Sequence, residues 1–216
     1  MAGQKAARRG GKNPEDKVGA RNREKILRAA VDVFARKGLD GTRIQEIADQ
    51  CGLPKANVYY YFSTKQEIYT HVIEHLLTGW DKAFEHITPD RDPREAIAVY
   101  VRAKLDYSRK HAAESRFFAN EMLRGAHFLS KQQKLHMQRV TRERSAVVEG
   151  WVRDGKMAPV DARHFFIMLW AATQFYGDFE PLAANALEKS KLAKADYDAA
   201  ADTITTIVLN GCGVSA

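Results

Sequence analysis

Between Thr42 and Lys65 the chain reads TRIQEIADQCGLPKANVYYYFSTK, a stretch that gathers side chains suited to one kind of chemistry. Arg43, Lys55 and Lys65 can neutralise phosphate oxygens, and an arginine can also grip a guanine edge through two N–H groups. Asn57 carries a carboxamide that matches the adenine edge bidentately. Thr42 sits where a helix is expected to start, so its hydroxyl and free backbone N–H suit a phosphate. Lys65 falls in the first turn of the following helix, another favourable phosphate site. Tyr59, Tyr60 and Tyr61 cannot all point inward from one short helix. At least one must present its ring and hydroxyl outward, towards a sugar-phosphate backbone. With Ala56 between Lys55 and Asn57, the candidate DNA contacts are Thr42, Arg43, Lys55, Ala56, Asn57, Tyr59, Tyr60, Tyr61 and Lys65.

Helical periodicity supplies the elements that hold these groups. Ile26, Leu27, Ala30, Val31 and Phe34 predict a helix over residues 21–37, stopped by Gly38. Thr42 opens the next helix, with Gln45 completing a capping box and Ile44, Ile47 and Ala48 on its buried side. Gly52 ends it. A helix of about two turns then begins at Pro54, with Val58, Phe62 and one tyrosine turned into the core. Two helices joined by a tight glycine turn are a helix-turn-helix, which lays its second helix in the DNA major groove. Thr64 and Glu67 form a further capping box that opens a long helix to roughly His86. Cys51 reads as a small buried side chain.

The charge balance points the same way. Residues 1–65 hold 14 Lys and Arg against 7 Asp and Glu, whereas residues 66–216 hold 20 of each. The whole net charge of +7 therefore sits with the helix-turn-helix, the footprint of a nucleic-acid reader joined to a neutral module. Residues 1–19 read as a disordered basic tail, 20–66 as the DNA-binding domain and 67–216 as a ligand-binding and dimerisation domain. A hydrophobic fraction of 45% and a charged fraction of 28% are ordinary for a soluble protein. No apolar run approaches the ~20 residues of a membrane span. Two cysteines, Cys51 and Cys212, suggest neither a disulfide framework nor a zinc site, so no metal or cofactor is expected and a cytoplasmic setting is.

Beyond Pro93 the pattern stays helical, over residues 94–110, 114–124, 128–154, 161–179 and 196–209, with 180–194 either a loop or a short helix. The chain is thus expected to be all-α, with about nine helices. A neutral helical module of this size suits a cavity between helices. Trp80, Phe117, Phe118, Met122, Trp170, Phe175 and Tyr176 are candidates to line it. Trp170, Gln174 and Asp178 recur every four residues and share a helix face. That face offers a flat ring, a carboxamide and a carboxylate, which complement a cyclic imide. The same residues also fit a core tryptophan and polar pairs across a subunit interface. Ile204, Ile207 and Val208 suit a four-helix dimer contact. No G-x-S-x-G, H-E-x-x-H or P-loop pattern occurs, and the histidines show no metal-type pairing, so an enzyme is not expected.

From about Arg23 to His71 the chain resembles the DNA-binding domain of the TetR family of transcriptional regulators. The resemblance rests on G-x-x-x-T-R-I-x-x-I-A at Gly38–Ala48, C-G-L at Cys51–Leu53, V-Y-Y-Y-F at Val58–Phe62, and Lys65. Pro54 departs from it, because the family usually has serine or a similar cap there; proline is compatible with a helix start but removes one hydroxyl from the phosphate side. The resemblance implies a three-helix DNA-binding domain and a homodimer that reads a palindromic operator, most often as a repressor. It also implies a larger helical domain for a small effector. S-R-F-F and E-M-L-R-G at Ser115–Gly125, G-W-V-x-x-G-K-x-A-P at Gly150–Pro159 and W-A-x-T-Q-x-Y-x-D-F at Trp170–Phe179 resemble the pyrimidine-responsive members of that family. That likeness implies uracil or thymine as effector, held between Trp80 and Trp170 with Gln174 on its imide edge, and Phe118, Met122 and Asp178 nearby. Other members sense different apolar or aromatic ligands in regulating efflux or catabolism.

Overall fold

The computed structural model describes residues 14–214. It contains ten α-helices and, among the described residues, no strand. They are α1 (Pro14–Gly41), α2 (Ile44–Cys51), α3 (Lys55–Tyr61), α4 (Lys65–Phe84), α5 (Pro93–Lys110), α6 (Ala112–Leu123), α7 (Lys131–Arg153), α8 (Ala162–Asp178), α9 (Glu180–Ala186) and α10 (Lys194–Gly211). The expected short element within 180–194 is α9, which brings the count to ten.

Two differences stand at the N-terminus. Helix α1 begins at Pro14, so residues 14–19 of the expected tail are helical, while residues 1–13 lie outside the described residues. Proline is a favourable helix opening, since it needs no N–H partner there. Gly38 does interrupt α1, with φ 69° and ψ 179°, but a last turn runs on to Gly41.

Two apolar cores organise the chain. The first joins Ile26, Val33 and Phe34 of α1 to Ile47, Val58, Phe62, Ile68, Ile73 and Leu76, and reaches Phe117 and Phe118 on α6. The second joins Phe84, Ile97, Tyr100 and Val101 to Val148, Trp151, Phe165, Phe166, Leu169 and the buried face of α10. Helix α4 runs through both, contributing Ile68 to Leu77 to one and Ala83 and Phe84 to the other. The expected boundary at residue 66 therefore does not separate the cores; α4 and α6 belong to the packing of the N-terminal unit as well. Val208 is buried within the chain, so of the residues expected at a subunit contact on α10, Ile207 is the one that faces outward, at 66% exposure. No helix among the described residues is long and apolar enough to cross a membrane.

Candidate functional site

Helices α2 and α3 meet across Gly52, whose φ of 67° is left-handed, a conformation that glycine adopts without strain. The Leu53 N–H reaches back to the Ala48 carbonyl at 3.1 Å and the Gly52 N–H to Asp49 at 3.2 Å, closing the end of α2. Val58 is the buried residue of α3. Lys55, Ala56, Asn57, Tyr59 and Tyr60 all face outward, and Tyr60 is 82% exposed. The Lys55 ammonium lies 5.8 Å from the centre of the Tyr59 ring, bringing a cation and an aromatic face together on one surface. Arg43 is exposed at the head of α2.

Three of the expected contacts stand differently. Thr42 is not the cap of α2. It is buried, and its hydroxyl donates to the Gly38 carbonyl at 2.6 Å. The cap is Arg43, whose N–H donates to the Glu46 carboxylate at 2.9 Å, while Lys37 pairs with the same carboxylate and holds its pKa below the usual range. Gln45, expected to close the box, bonds Asp49 instead. The last turn of α1 takes up the Thr42 hydroxyl, which displaces the cap by one residue. Lys65 is likewise committed: its ammonium donates to the carbonyls of Leu39, Asp40 and Thr42 at 2.8, 3.1 and 3.2 Å. Tyr61 is half-buried and accepts a long hydrogen bond, 3.4 Å, from Asn22. None of the three tyrosines is fully buried. The end of α3 is instead anchored by Phe62, which packs under the Arg23 guanidinium at 4.6 Å.

The second locus is a cavity of about 110 Å³ where the two cores meet. Leu77 and Phe118 come to it from the first core, Phe84 from the second, and Trp80, Trp170 and Gln174 complete much of the wall. The Trp80 ring meets Phe118 edge-on at 4.7 Å, and the Trp170 N–H donates to the Tyr100 hydroxyl at 2.9 Å. Both rings are thereby fixed. Helix α7 closes another side with His136, Met137, Val140 and Thr141; His136 bonds Asp81 at 2.7 Å.

Of the expected effector contacts, Trp80, Phe118, Trp170 and Gln174 share this cavity, and Met122 and Asp178 do not. Met122 packs against the first core. Asp178 accepts a hydrogen bond from Ser115 of α6, since four-residue steps drift around a 3.6-residue helix and carry it off the Gln174 face. Phe117 is core, and Phe175 is exposed. Sequence reasoning missed Lys104, which is 3% exposed, lines the cavity and holds its ammonium 4.5 Å from the centre of the Trp80 ring. Burial pushes its pKa down to about 7, against a weaker pull from Asp178. The signal was present: Tyr100, Val101, Lys104, Leu105 and Ser108 form one buried stripe of α5. The α7 wall carried no such signal, because helix pairing is a tertiary matter.

A larger open cleft, of about 500 Å³, lies between α1, α4 and the corner of α5 and α6. Several of its polar groups are already engaged: Glu24 with Arg28, and Glu114 with Tyr107, His111 and His75. Among the described residues no cluster of His, Cys, Asp and Glu could hold a metal ion.

An exposed aromatic and basic recognition helix on a two-helix unit, wired through shared packing to a partly open cavity, defines an effector-responsive helix-turn-helix regulator. Residues 26–72 match the model of the bacterial regulatory proteins of the tetR family, and residues 73–215 match that of the YcdC-like protein C-terminal region. The chain belongs to the TetR family of DNA-binding transcriptional regulators. It is 35% identical to the HTH-type transcriptional regulator RutR of Escherichia coli K12, over 86% of this chain and 88% of that protein. The HTH-type transcriptional repressor NicS of Pseudomonas putida is 27% identical over 82% of this chain and 87% of its own. The structure of a Clostridium perfringens putative fatty acid metabolism regulator superposes with a TM-score of 0.68 at 20% identity, covering 87% of this chain and 97% of that one, which speaks for the fold.

Proposed function

We propose that this chain is a homodimeric repressor that reads a palindromic operator through Arg43, Lys55, Ala56, Asn57, Tyr59 and Tyr60 and responds to a single-ring planar base such as uracil or thymine. The observation that carries the effector reading is the cavity of about 110 Å³ walled by Trp80, Trp170 and Gln174. A dry cavity of ~150 Å³ accepts benzene, so this one is of single-ring size. Two indoles supply apolar faces, and a carboxamide supplies one donor beside one acceptor, the complement of an imide. The resemblance of the surrounding motifs to pyrimidine-responsive family members supports the same choice.

Dimerisation is supported by apolar side chains left on α8, at its C-terminal end and on α10. Ile167, Met168, Phe175 and Phe179 are each more than a third exposed, as is Ile207. Two such helices and their copies make a four-helix contact, which would set the spacing of the two recognition helices on successive major grooves. A different single-ring ligand is the second reading, favoured by the apolar share of the wall from Leu77, Phe84 and Val140.

Thermal unfolding with excess uracil, thymine or cytosine tests the effector. Saturation at a hundredfold over Kd adds about 2.7 kcal/mol, or roughly 5–10 °C for a chain of this size. A shift with uracil that disappears in Gln174→Ala supports the imide reading. A shift that survives Gln174→Ala favours the apolar alternative, and no shift with any pyrimidine ends the pyrimidine assignment.

A further inference from the structure

We infer, resting on the assignment of this cavity as the effector site, that Lys104 is its specificity-determining residue: it selects planar rings bearing an exocyclic oxygen acceptor, carbonyl or oxyanion, and takes up a proton as they bind. Lysine is almost never fully buried unless its charge is paired. Lys104 is 3% exposed, its ammonium over one face of Trp80, and no hydrogen bond holds it among the described residues. The neighbouring oxygens have other donors. Asp178 on α8 takes the Ser115 hydroxyl and feels the charges of Lys104 and, after it, Arg116 of α6, without a hydrogen bond to Lys104. Asp81 on α4 takes His136 of α7 at 2.7 Å. On α5 itself, the Tyr100 hydroxyl takes the Trp170 N–H, and the Tyr107 hydroxyl donates to Glu114.

With no hydrogen bond to a protein oxygen among the described residues, the N–H donors of Lys104 are open to an oxygen that a ligand places in the cavity. Gln174 on the same wall reads the adjoining edge of the ring. A ring without an exocyclic oxygen leaves the ammonium buried and unserved, the circumstance in which a built polar site discriminates most strongly. The sign of the pH dependence follows. Without ligand, burial leaves Lys104 with a pKa of about 7. An acceptor oxygen favours the charged form and raises that pKa, so binding draws in a proton above pH ~7. Affinity is highest below that point and falls by up to tenfold per pH unit above it, until the pKa of the bound state is reached.

Calorimetric titration of the full chain with uracil, barbiturate and unsubstituted pyrimidine, between about pH 6 and about pH 8.5 and in two buffers of unlike ionisation enthalpy, tests this. The expected result on the wild type is proton uptake with uracil or barbiturate that grows above pH ~7, with unsubstituted pyrimidine at least tenfold weaker. Lys104→Met is expected to abolish the uptake and cost the oxygen-bearing rings about tenfold or more, levelling the three probes. The wild-type proton count and probe order stand without the variant, should it fold poorly. Uracil binding that is independent of pH, or indifferent to Lys104→Met, overturns this inference and leaves the pyrimidine reading intact. Barbiturate binding that depends on Lys104 while uracil fails to bind overturns the pyrimidine reading and keeps this one. Uptake lost in His136→Gln but kept in Lys104→Met assigns the proton to His136 and overturns the inference, as does a wild type that binds none of the probes.

Discussion

Two lysines show how the same residue type is spent in opposite ways. Lys65 caps three carbonyls where α1 ends, at 2.8–3.2 Å, and so ties the base of the helix-turn-helix to the head of α4. Lys65→Met keeps the alkyl stem and removes every donor. It is expected to cost about 1–3 kcal/mol, the penalty for leaving polar groups unpaired, seen as a lower melting temperature together with weaker operator binding. A phosphate contact alone would weaken operator binding and leave the melt unchanged. Lys104 is the reverse case, a cation whose burial opposes folding. Its folded pKa, about 7, lies below its ordinary value of 10.5, so the unfolded chain binds more protons between those two pH values. Wild-type stability should therefore rise with pH across that window, with the full penalty felt below pH ~7. Lys104→Met should flatten that rise and add about 1–4 kcal/mol at neutral pH, as apolar replacement of buried charge can do. Chemical denaturation at a series of pH values reads both; a variant as pH-dependent as the wild type over this window would remove Lys104 as the cause.

At the level of elements, local signals were legible and tertiary choices were not. Thr64 accepts the Glu67 N–H at 3.1 Å, and the Ser63 N–H donates to the Glu67 carboxylate at 2.7 Å, so the start of α4 follows from five adjacent residues. The start of α2 does not, because Thr42 and Arg43 compete for the cap and the bond from Thr42 to the Gly38 carbonyl decides between them. Trp80, Trp170 and Gln174 were legible as candidates from residue type and spacing. Which helix faces them was not, and so Asp178 and Met122 stand outside the cavity, whereas Lys104 was legible in the apolar stripe of α5 and was missed there. At Gly52 the space a methyl group would take has no neighbour within 4 Å, which isolates the backbone contribution of the turn. Gly52→Ala is expected to cost about 1–2 kcal/mol from the left-handed φ alone, measured by denaturant midpoint. Gly38→Ala should cost more, because its φ of 69° with ψ of 179° lies in a region that essentially glycine alone adopts; the Arg124 guanidinium beside it is a flexible end that can move aside.

Across the whole molecule, α6 is the element that touches everything the regulator must link. Phe118 stands in the cavity wall, Ser115 and Arg116 hold the end of α8, Asn120 donates to the Ala35 carbonyl of α1 at 3.3 Å, and Arg124 rests on Gly38. Gly38 in turn carries the carbonyl that fixes Thr42 at the entry to α2. A ligand that favours one position of α6 therefore favours one position of the DNA-binding unit, by no more than its differential affinity for the two states. Cutting the α1 end of this link while sparing the cavity end separates coupling from binding. In Asn120→Ala/Arg124→Ala, uracil should still raise the melting temperature. The ratio of operator Kd with and without uracil, fivefold or more where coupling is about 1 kcal/mol or above, should fall towards one. Fluorescence anisotropy of labelled operator DNA measures that ratio. A double variant with wild-type coupling would place the link on α4, the other helix that passes through both cores.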